Sequence, residues 1–575
     1  MNLDKWKTKF FEPPKMTDAV VLALLTVLIT FQPFFIHGEI NIFETGLYLP
    51  GIQAVLNGGI PFRDVFHLRG PFEIYMPAFL MKIFGAHINV LYSYFYVGSV
   101  LCLVLCVFLA KELLKTRGML YLFVPVLIAR TFPRVAFTIW GGMRYAFGLM
   151  ALWFIIRFLK QDKQRYVFLA GIATSLGMFT SIEMGAYPFL GFMVALFFSM
   201  IFKVQQRRVI ARSLLIYLGG MLVIIVPYVL YLAMHQAMRP YLDSVLTIVM
   251  NMQKVIDPHT VSIYPRNFPE AFQAMINPVH TNFKHMTPSY LYVLVAIYIF
   301  YKAFKNSLTK LDLFIICLGV YGFVMYNTGF RGIWAAQFEM ALQPEKILLF
   351  LFLEFVLLIL LRQKSDVLRN VSSETLKIKR EKWKVCVFNV FCWVLILSSI
   401  GYSIGRFNHR FFVFNFIRSK MTGKEVKHLR PYGEDKTRAL TIPRASGIVV
   451  PAEQADELES VYAFVQKNIG KDDIVLTYPE MGAYNFFIDR KFFGRFPIST
   501  FTWFNDRWFD EYMSQLNVNK PRYVLLEKNI SDYWKFEYLS KEPNRIKFSA
   551  MMDFIKYNYH VIDETPKSYI MELSR

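Results

Sequence analysis

The chain has 575 residues, 55% of them hydrophobic and 17% aromatic, with only 18% charged; it is too apolar for an ordinary soluble protein and has the composition of a polytopic membrane protein. Its formal net charge of +22 would suit a nucleic-acid partner, but Lys and Arg also gather on the cytoplasmic loops of membrane proteins, so their distribution decides. The five cysteines, Cys102, Cys106, Cys317, Cys386 and Cys392, all lie in apolar runs, which argues against structural disulfides, redox chemistry and a thiolate metal site.

The amino terminus has a basic head followed by a long apolar run with no small-residue cleavage site, the pattern of a retained first span. At roughly 20 apolar residues per crossing, eleven runs qualify: 17–38, 88–110, 118–133, 141–159, 166–180, 183–202, 210–233, 289–304, 311–329, 345–361 and 385–404. Inside a bilayer there is no water to bond the backbone, so these runs are expected to be helices. With the amino terminus cytoplasmic, Lys5, Lys7, Lys9 and Lys15 fall on the inner face, as do Lys111, Lys115 and Arg117, then Arg157, Lys160, Lys163 and Arg165, and the very basic segment 362–384. The alternate loops, 39–87 and 234–288 among them, are longer and sparse in positive charge. The charge therefore reports topology in a plasma (inner) membrane, and nucleic acid is not expected as a partner.

An odd number of spans leaves everything after residue 405 outside. That tail is not membrane-like: "AEQADELESVYAFVQKNIG" has helical spacing, "DDIVLTYPEMGAYNFFIDRKF" reads as strand, turn and helix, and "PRYVLLEKN" as a second strand. The expected architecture is a polytopic α-helical membrane domain, 1–404, a basic connector, 405–440, and an extracytoplasmic α/β domain, 441–575. Tyr484, Trp503 and Trp508 of that domain are candidates for stacking on sugar rings, with core packing the alternative use.

The first outer loop carries the most pointed pattern. "TGLYLPGIQAVLNG" and "PFEIYMPAFLMKIFG" have the spacing of two short helices lying along the membrane surface, and between them "GGIPFRDVFHLRG" brackets Arg63, Asp64, His67 and Arg69 with turn residues. The run Glu44-Thr45-Gly46-Leu47-Tyr48, then Asn57-Gly58, then Pro61-Phe62-Arg63-Asp64, then His67-Leu68-Arg69-Gly70-Pro71 resembles, in order and spacing, the first loop of the GT-C superfamily of integral-membrane glycosyltransferases. These depend on polyprenyl-phosphate sugars, and relatives include protein mannosyltransferases and lipid A aminoarabinose transferases. The family pattern begins D-E-G-x-Y, where this chain has Glu44 and Thr45, and its H-K-P-P-type turn has Arg69 in place of Lys. "MFTSIEMGAYPFL" is similar to a K-x-E-x-G pattern of some members, with Glu183 at the acidic position and Ser181 at the Lys position. "TGFRGIWAAQFEMALQPEKI" offers Arg331 at a substrate-facing turn.

The resemblance implies transfer of a sugar from a polyprenyl-phosphate donor to a glycan, lipid or protein acceptor of the cell envelope. It also implies an inverting displacement with Glu44 as base. Arg69 is then the leading contact to the donor phosphate, with Arg63, Arg144 and Arg331 as further candidates; Tyr48, Asp64, His67 and Glu183 support the site. A divalent metal is compatible, but no ligand set for one is evident, and His67 fits a structural post better than a ligand. Other readings stay open. Glu44 and Asp64 also suit ordinary interfacial ion pairs, Glu183 a structural pair at a span end, and the whole chain a lipid-linked glycan polymerase or ligase, or a flippase.

Overall fold

The computed structural model describes residues 9–32, 38–132, 142–255, 283–329, 336–369, 411–423 and 436–574. The first helix, α1 (Met16–Thr30), is followed by three helices of the first loop, α2 (Ile42–Gly46), α3 (Leu49–Leu56) and α4 (Phe72–Phe84). The bundle continues with α5 (Ile88–Leu113), α6 (Arg117–Thr131), α7 (Met143–Gln161), α8 (Gln164–Thr180), α9 (Ile182–Ile201) and α10 (Arg207–Met234). Then come α11 (Met238–Val255), α12 (Phe283–Phe304), α13 (Lys310–Gly329), α14 (Ala336–Ala341), α15 (Gln343–Arg369) and α16 (Phe412–Thr422). A helix stands at ten of the eleven predicted runs; the eleventh, 385–404, lies outside the described residues, as do Arg331 and residues 405–410 and 424–435 of the connector.

Length and apolarity qualify fewer of these helices as crossings than the eleven expected. Among the described residues four, α5, α9, α10 and α13, are long and apolar enough to cross a membrane. The helices α1 and α6 have only 15 residues each, and α7 carries Arg144, Arg157 and Lys160 within its length. The outward face of α10, with Leu222, Val223, Val226, Val229 and Leu230 exposed, is the kind of surface a bilayer covers.

The tail folds as expected from its alternating pattern. A short antiparallel pair, β1 (Thr437–Ala439) and β2 (Val449–Pro451), precedes α17 (Ala452–Asn468), β3 (Val475–Tyr478), α18 (Gly482–Phe487), α19 (Asp506–Val518), β4 (Tyr523–Glu527), α20 (Asp532–Glu537), α21 (Glu542–Asn558), β5 (Tyr559–Glu564) and β6 (Ser568–Leu573). The main sheet has the order β3-β4-β6-β5, with β3 and β4 parallel and the other pairs antiparallel. Every residue of β3 is buried, which is why its sequence is apolar without alternation.

The first loop and this α/β unit form one hydrophobic core. Leu49, Ile52, Val65, Phe66 and Ile74 pack in the same cluster as Val475, Phe486, Trp508 and Leu525. The polar groups agree: the Phe66 amide donates to the Arg495 carbonyl at 2.6 Å, and Gln454 bonds both backbone groups of Ile40 at 2.8 Å. A side chain on Gly46 would place its Cβ 2.8 Å from the Ala483 nitrogen, so glycine is what lets α2 lie against α18. Tyr484, Trp503 and Trp508 are all buried, which makes them part of this core. Helix α11 joins the same roof through Asp243, which accepts from the Trp508 indole at 2.8 Å and pairs with Arg507.

Candidate active site

The turn 67–71 is where the first loop, α7 and the α8–α9 hairpin meet. The Gly70 amide donates to the Thr180 carbonyl at 2.9 Å, and a Cβ on Gly70 would stand 2.1 Å from the Phe179 carbonyl oxygen. Only glycine permits that approach, and the approach delivers Arg69 to the start of α9. Arg144, the second residue of α7, arrives from the other side, 1% exposed. Both guanidinium groups converge on one oxygen of Glu183: Arg144 Nη2 lies 3.2 Å and Arg69 Nη1 3.6 Å from Oε1.

The hydrogen bonding of this cluster is incomplete. Arg144 Nε and Nη1 are buried and without a partner among the described residues, as is the Tyr145 hydroxyl. Buried polar groups are costly to leave unpaired, so a cluster of them beside two Arg side chains is a place for an anionic, hydrogen-bond-accepting ligand.

Beneath Arg69 the site is built from aromatic and neutral groups. Tyr48 is buried, packs its ring edge-on to His67 at 5.3 Å and to Phe95 at 5.2 Å, and its hydroxyl meets the Arg69 side chain. His67 is 1% exposed. Beyond a loose approach to the Leu47 backbone, neither ring nitrogen has a partner among the described residues. Burial, reinforced by the Arg69 charge, pushes its imidazole down to about 3, so His67 is neutral at physiological pH.

Glu44 sits on α2, half-buried, its amide capped by the Asn41 side chain at 2.9 Å, with its carboxylate in electrostatic reach of Tyr92. Thr45, where the pattern that the first loop resembles has a second acid, donates its hydroxyl to the Asn41 carbonyl at 2.6 Å. Arg63 and Asp64 form a pair of their own at 2.7 Å. Asp64 also caps the Ile60 amide at 2.8 Å and Arg63 donates to the His235 carbonyl at 3.0 Å, so the two clip the loop to the end of α10.

Glu73 lies outside the first-loop motif. A Glu in the first turn of an amphipathic helix reads as a solvated group at the positive end of the helix dipole. In the structure it is 0% exposed. Its Oε1 accepts from the Tyr94 hydroxyl at 2.8 Å and its Oε2 has no partner among the described residues. Burial pushes the carboxyl up to about 7, against the opposing pull of the Tyr94 bond and the Arg144 and Arg69 charges. Its position two residues after the His67–Pro71 turn was the available signal.

The tightness at Gly70 makes a prediction. Gly70→Ala forces the turn off the Thr180–Phe179 backbone and carries Arg69 with it, so affinity for an anionic ligand there should fall by about tenfold or more, since a small misplacement at a site of this kind is expensive. Binding of a polyprenyl phosphate to the variant checks this; unchanged affinity would show that the turn has room to adjust.

A family model described as dolichyl-phosphate-mannose-protein mannosyltransferase matches residues 69–232, a segment that opens at Arg69 and includes Glu73, Arg144 and Glu183. Among curated proteins no sequence matches the chain. Among solved structures, ArnT from Cupriavidus metallidurans bound to undecaprenyl phosphate has a similar fold, with a TM-score of 0.53 at 10% identity over 97% of this chain and 98% of that one. The apo state of ArnT aligns with a TM-score of 0.49 at 10% identity, covering 96% and 97%. Over residues 69–232 the chain is thus similar to that mannosyltransferase family, and over nearly its whole length it shares the fold of ArnT.

Proposed function

We propose that the protein moves a sugar from a polyprenyl-phosphate carrier to a cell-envelope acceptor on the outer face of the inner membrane. The observation that carries this proposal is the convergence of Arg69, from the first loop, and buried Arg144, from α7, on Glu183, with Arg144 Nε and Nη1 without a partner among the described residues. A fold shared with a protein solved with undecaprenyl phosphate bound supports a lipid-linked donor. In this scheme the amino terminus is cytoplasmic, and the α/β unit covers the first loop from outside.

The two arginines hold the donor phosphate and stabilise the charge that gathers on it as the bond to the sugar breaks; fixed donors in a dry site do this best. Glu183 holds both guanidinium groups in place. Glu44 takes the proton of the acceptor hydroxyl or amine as that atom attacks the anomeric carbon. The electron pair of the broken bond stays on the phosphate oxygen, and a single in-line displacement inverts the anomeric centre. Tyr48 and His67 form the packed, neutral floor under Arg69, while Arg63 and Asp64 keep the loop closed on α10.

The test is release of free polyprenyl phosphate, followed by mass spectrometry, from a panel of polyprenyl-phosphate sugars with envelope extract. Wild type should consume one donor, and Glu44→Gln should lower turnover by roughly 10²–10⁴-fold with donor binding retained, the usual contribution of a positioned base. A variant as active as wild type would remove Glu44 from the mechanism. Consumption of a lipid-diphosphate glycan and of none of the panel would instead identify a polymerase or ligase.

A further inference from the structure

We propose that Glu73 exchanges a proton with the donor site: it is ionised when the site is empty, protonated while a phosphodiester lies against Arg69 and Arg144, and the source of the proton that the leaving phosphate takes. This rests on the function proposed above and adds a residue to it.

The geometry sets the conditions. Glu73 is fully buried, one oxygen held by Tyr94 at 2.8 Å and the other unpartnered among the described residues. The charged and titratable groups that face it are Tyr48 at the start of α3, Arg69 from the turn, Tyr94 of α5 and Arg144 of α7, with Tyr145 and Glu183 just beyond and His67 neutral. From α8, which packs on α4, the facing end contributes Thr180 and Ser181, neither of which titrates.

With the site empty, Arg69 and Arg144 balance Glu183 and an ionised Glu73. A phosphodiester brings one further negative charge against Arg69 and the buried Arg144, and uptake of one proton by Glu73 restores neutrality. A carboxyl that burial already holds near 7 makes that uptake possible at physiological pH.

In the transfer step the bond from the anomeric carbon to the phosphate oxygen breaks as the bond to the acceptor forms. The acceptor proton goes to Glu44, and the Glu73 proton goes to the phosphate oxygen that keeps the electron pair. Glu73 is again a carboxylate beside a phosphate monoanion, an excess of negative charge that favours departure of the carrier.

The experiment is calorimetric binding of a short polyprenyl methyl phosphate, a diester with no proton titrating near neutrality, to the full chain in detergent. It is run at pH 8 in buffers of different ionisation enthalpy, and affinity is also followed from pH 6 to 9. Wild type should take up close to one proton per diester bound, and its affinity should fall roughly tenfold per pH unit above about pH 7. Glu73→Gln should bind with no proton uptake and no such pH dependence. Tyr94→Phe, which removes the bond that favours the ionised carboxyl, should move the break in affinity to higher pH. Equal proton uptake by wild type and Glu73→Gln, or an unmoved break in Tyr94→Phe, overturns the proposal and leaves the arginine site standing. Failure of wild type to bind the diester at any pH overturns the donor site itself, and the proton exchange with it.

Discussion

Arg144→Met is expected to lower turnover of the polyprenyl-phosphate sugar by about 10²–10³-fold, the range for removing one preorganised donor to developing charge. Methionine has nearly the length of the arginine stem and keeps the apolar contacts of α7, so the change tests charge and hydrogen bonding more than packing. What is lost is the 3.2 Å partner of Glu183 and the two buried guanidinium nitrogens that have no other bond among the described residues. Of its two arginine partners Glu183 then keeps Arg69, at 3.6 Å, and draws it away from the phosphate. Arg144→Lys keeps a charge without the planar fork and should fall between the two. Measured kcat/KM, with thermal unfolding to confirm that each variant is folded, decides the matter. A folded Arg144→Met enzyme with wild-type kcat/KM would mean that Arg144 is only a structural partner of Glu183.

Phe66→Ala is expected to cost about 3–5 kcal/mol, the range for emptying a buried aromatic site, and so to have the largest effect on stability of the changes considered. The Phe66 ring is fully buried, 4.5 Å from Phe501, 5.1 Å from Trp508 and 5.5 Å from Phe496. It is the point where the first loop enters the core of the α/β unit. Arg495, whose carbonyl accepts the Phe66 amide, covers the same rings, 4.5 Å from Phe496 and 5.5 Å from Trp508, and is itself held by Glu511 at 2.8 Å.

Emptying that site loosens the roof three residues from Arg69, so catalysis should fall with stability. Protease cleavage of the α/β unit from the bundle, compared between wild type and variant, reads the loosening directly. Phe66→Leu, which refills most of the space, should restore much of both. A Phe66→Ala protein with unchanged protease resistance and unfolding temperature would show that the α/β unit is held by its other contacts.

Much of this was legible from the residues alone. Runs of apolar residues must be helices in lipid, so ten of the predicted positions carry helices, and the alternating pattern of the tail yielded β3, β4 and α17 at their observed places. The first-loop motif named Glu44, Tyr48, His67 and Arg69 because turn residues and spacing are local properties. The number of crossings was less legible, since a short or charged run such as α7 forms a helix whatever it spans.

The partnerships were settled only in three dimensions. Arg63 was a candidate for the phosphate, yet its neighbour Asp64 takes it at 2.7 Å. Arg144 and Glu183, 39 residues apart, become partners only because α7, α8 and α9 pack together. Glu73 carried no role in the sequence pattern, and burial by elements remote in sequence set its chemistry. Periodicity states which face of an element is apolar; it does not state which other element that face will meet. The sequence by itself therefore determined the elements and the outer-loop motif, through local propensity and hydrophobic patterning. Which charges share a pocket, and which core the first loop joins, were decided by tertiary packing, because burial and ion pairing depend on neighbours that no local pattern encodes.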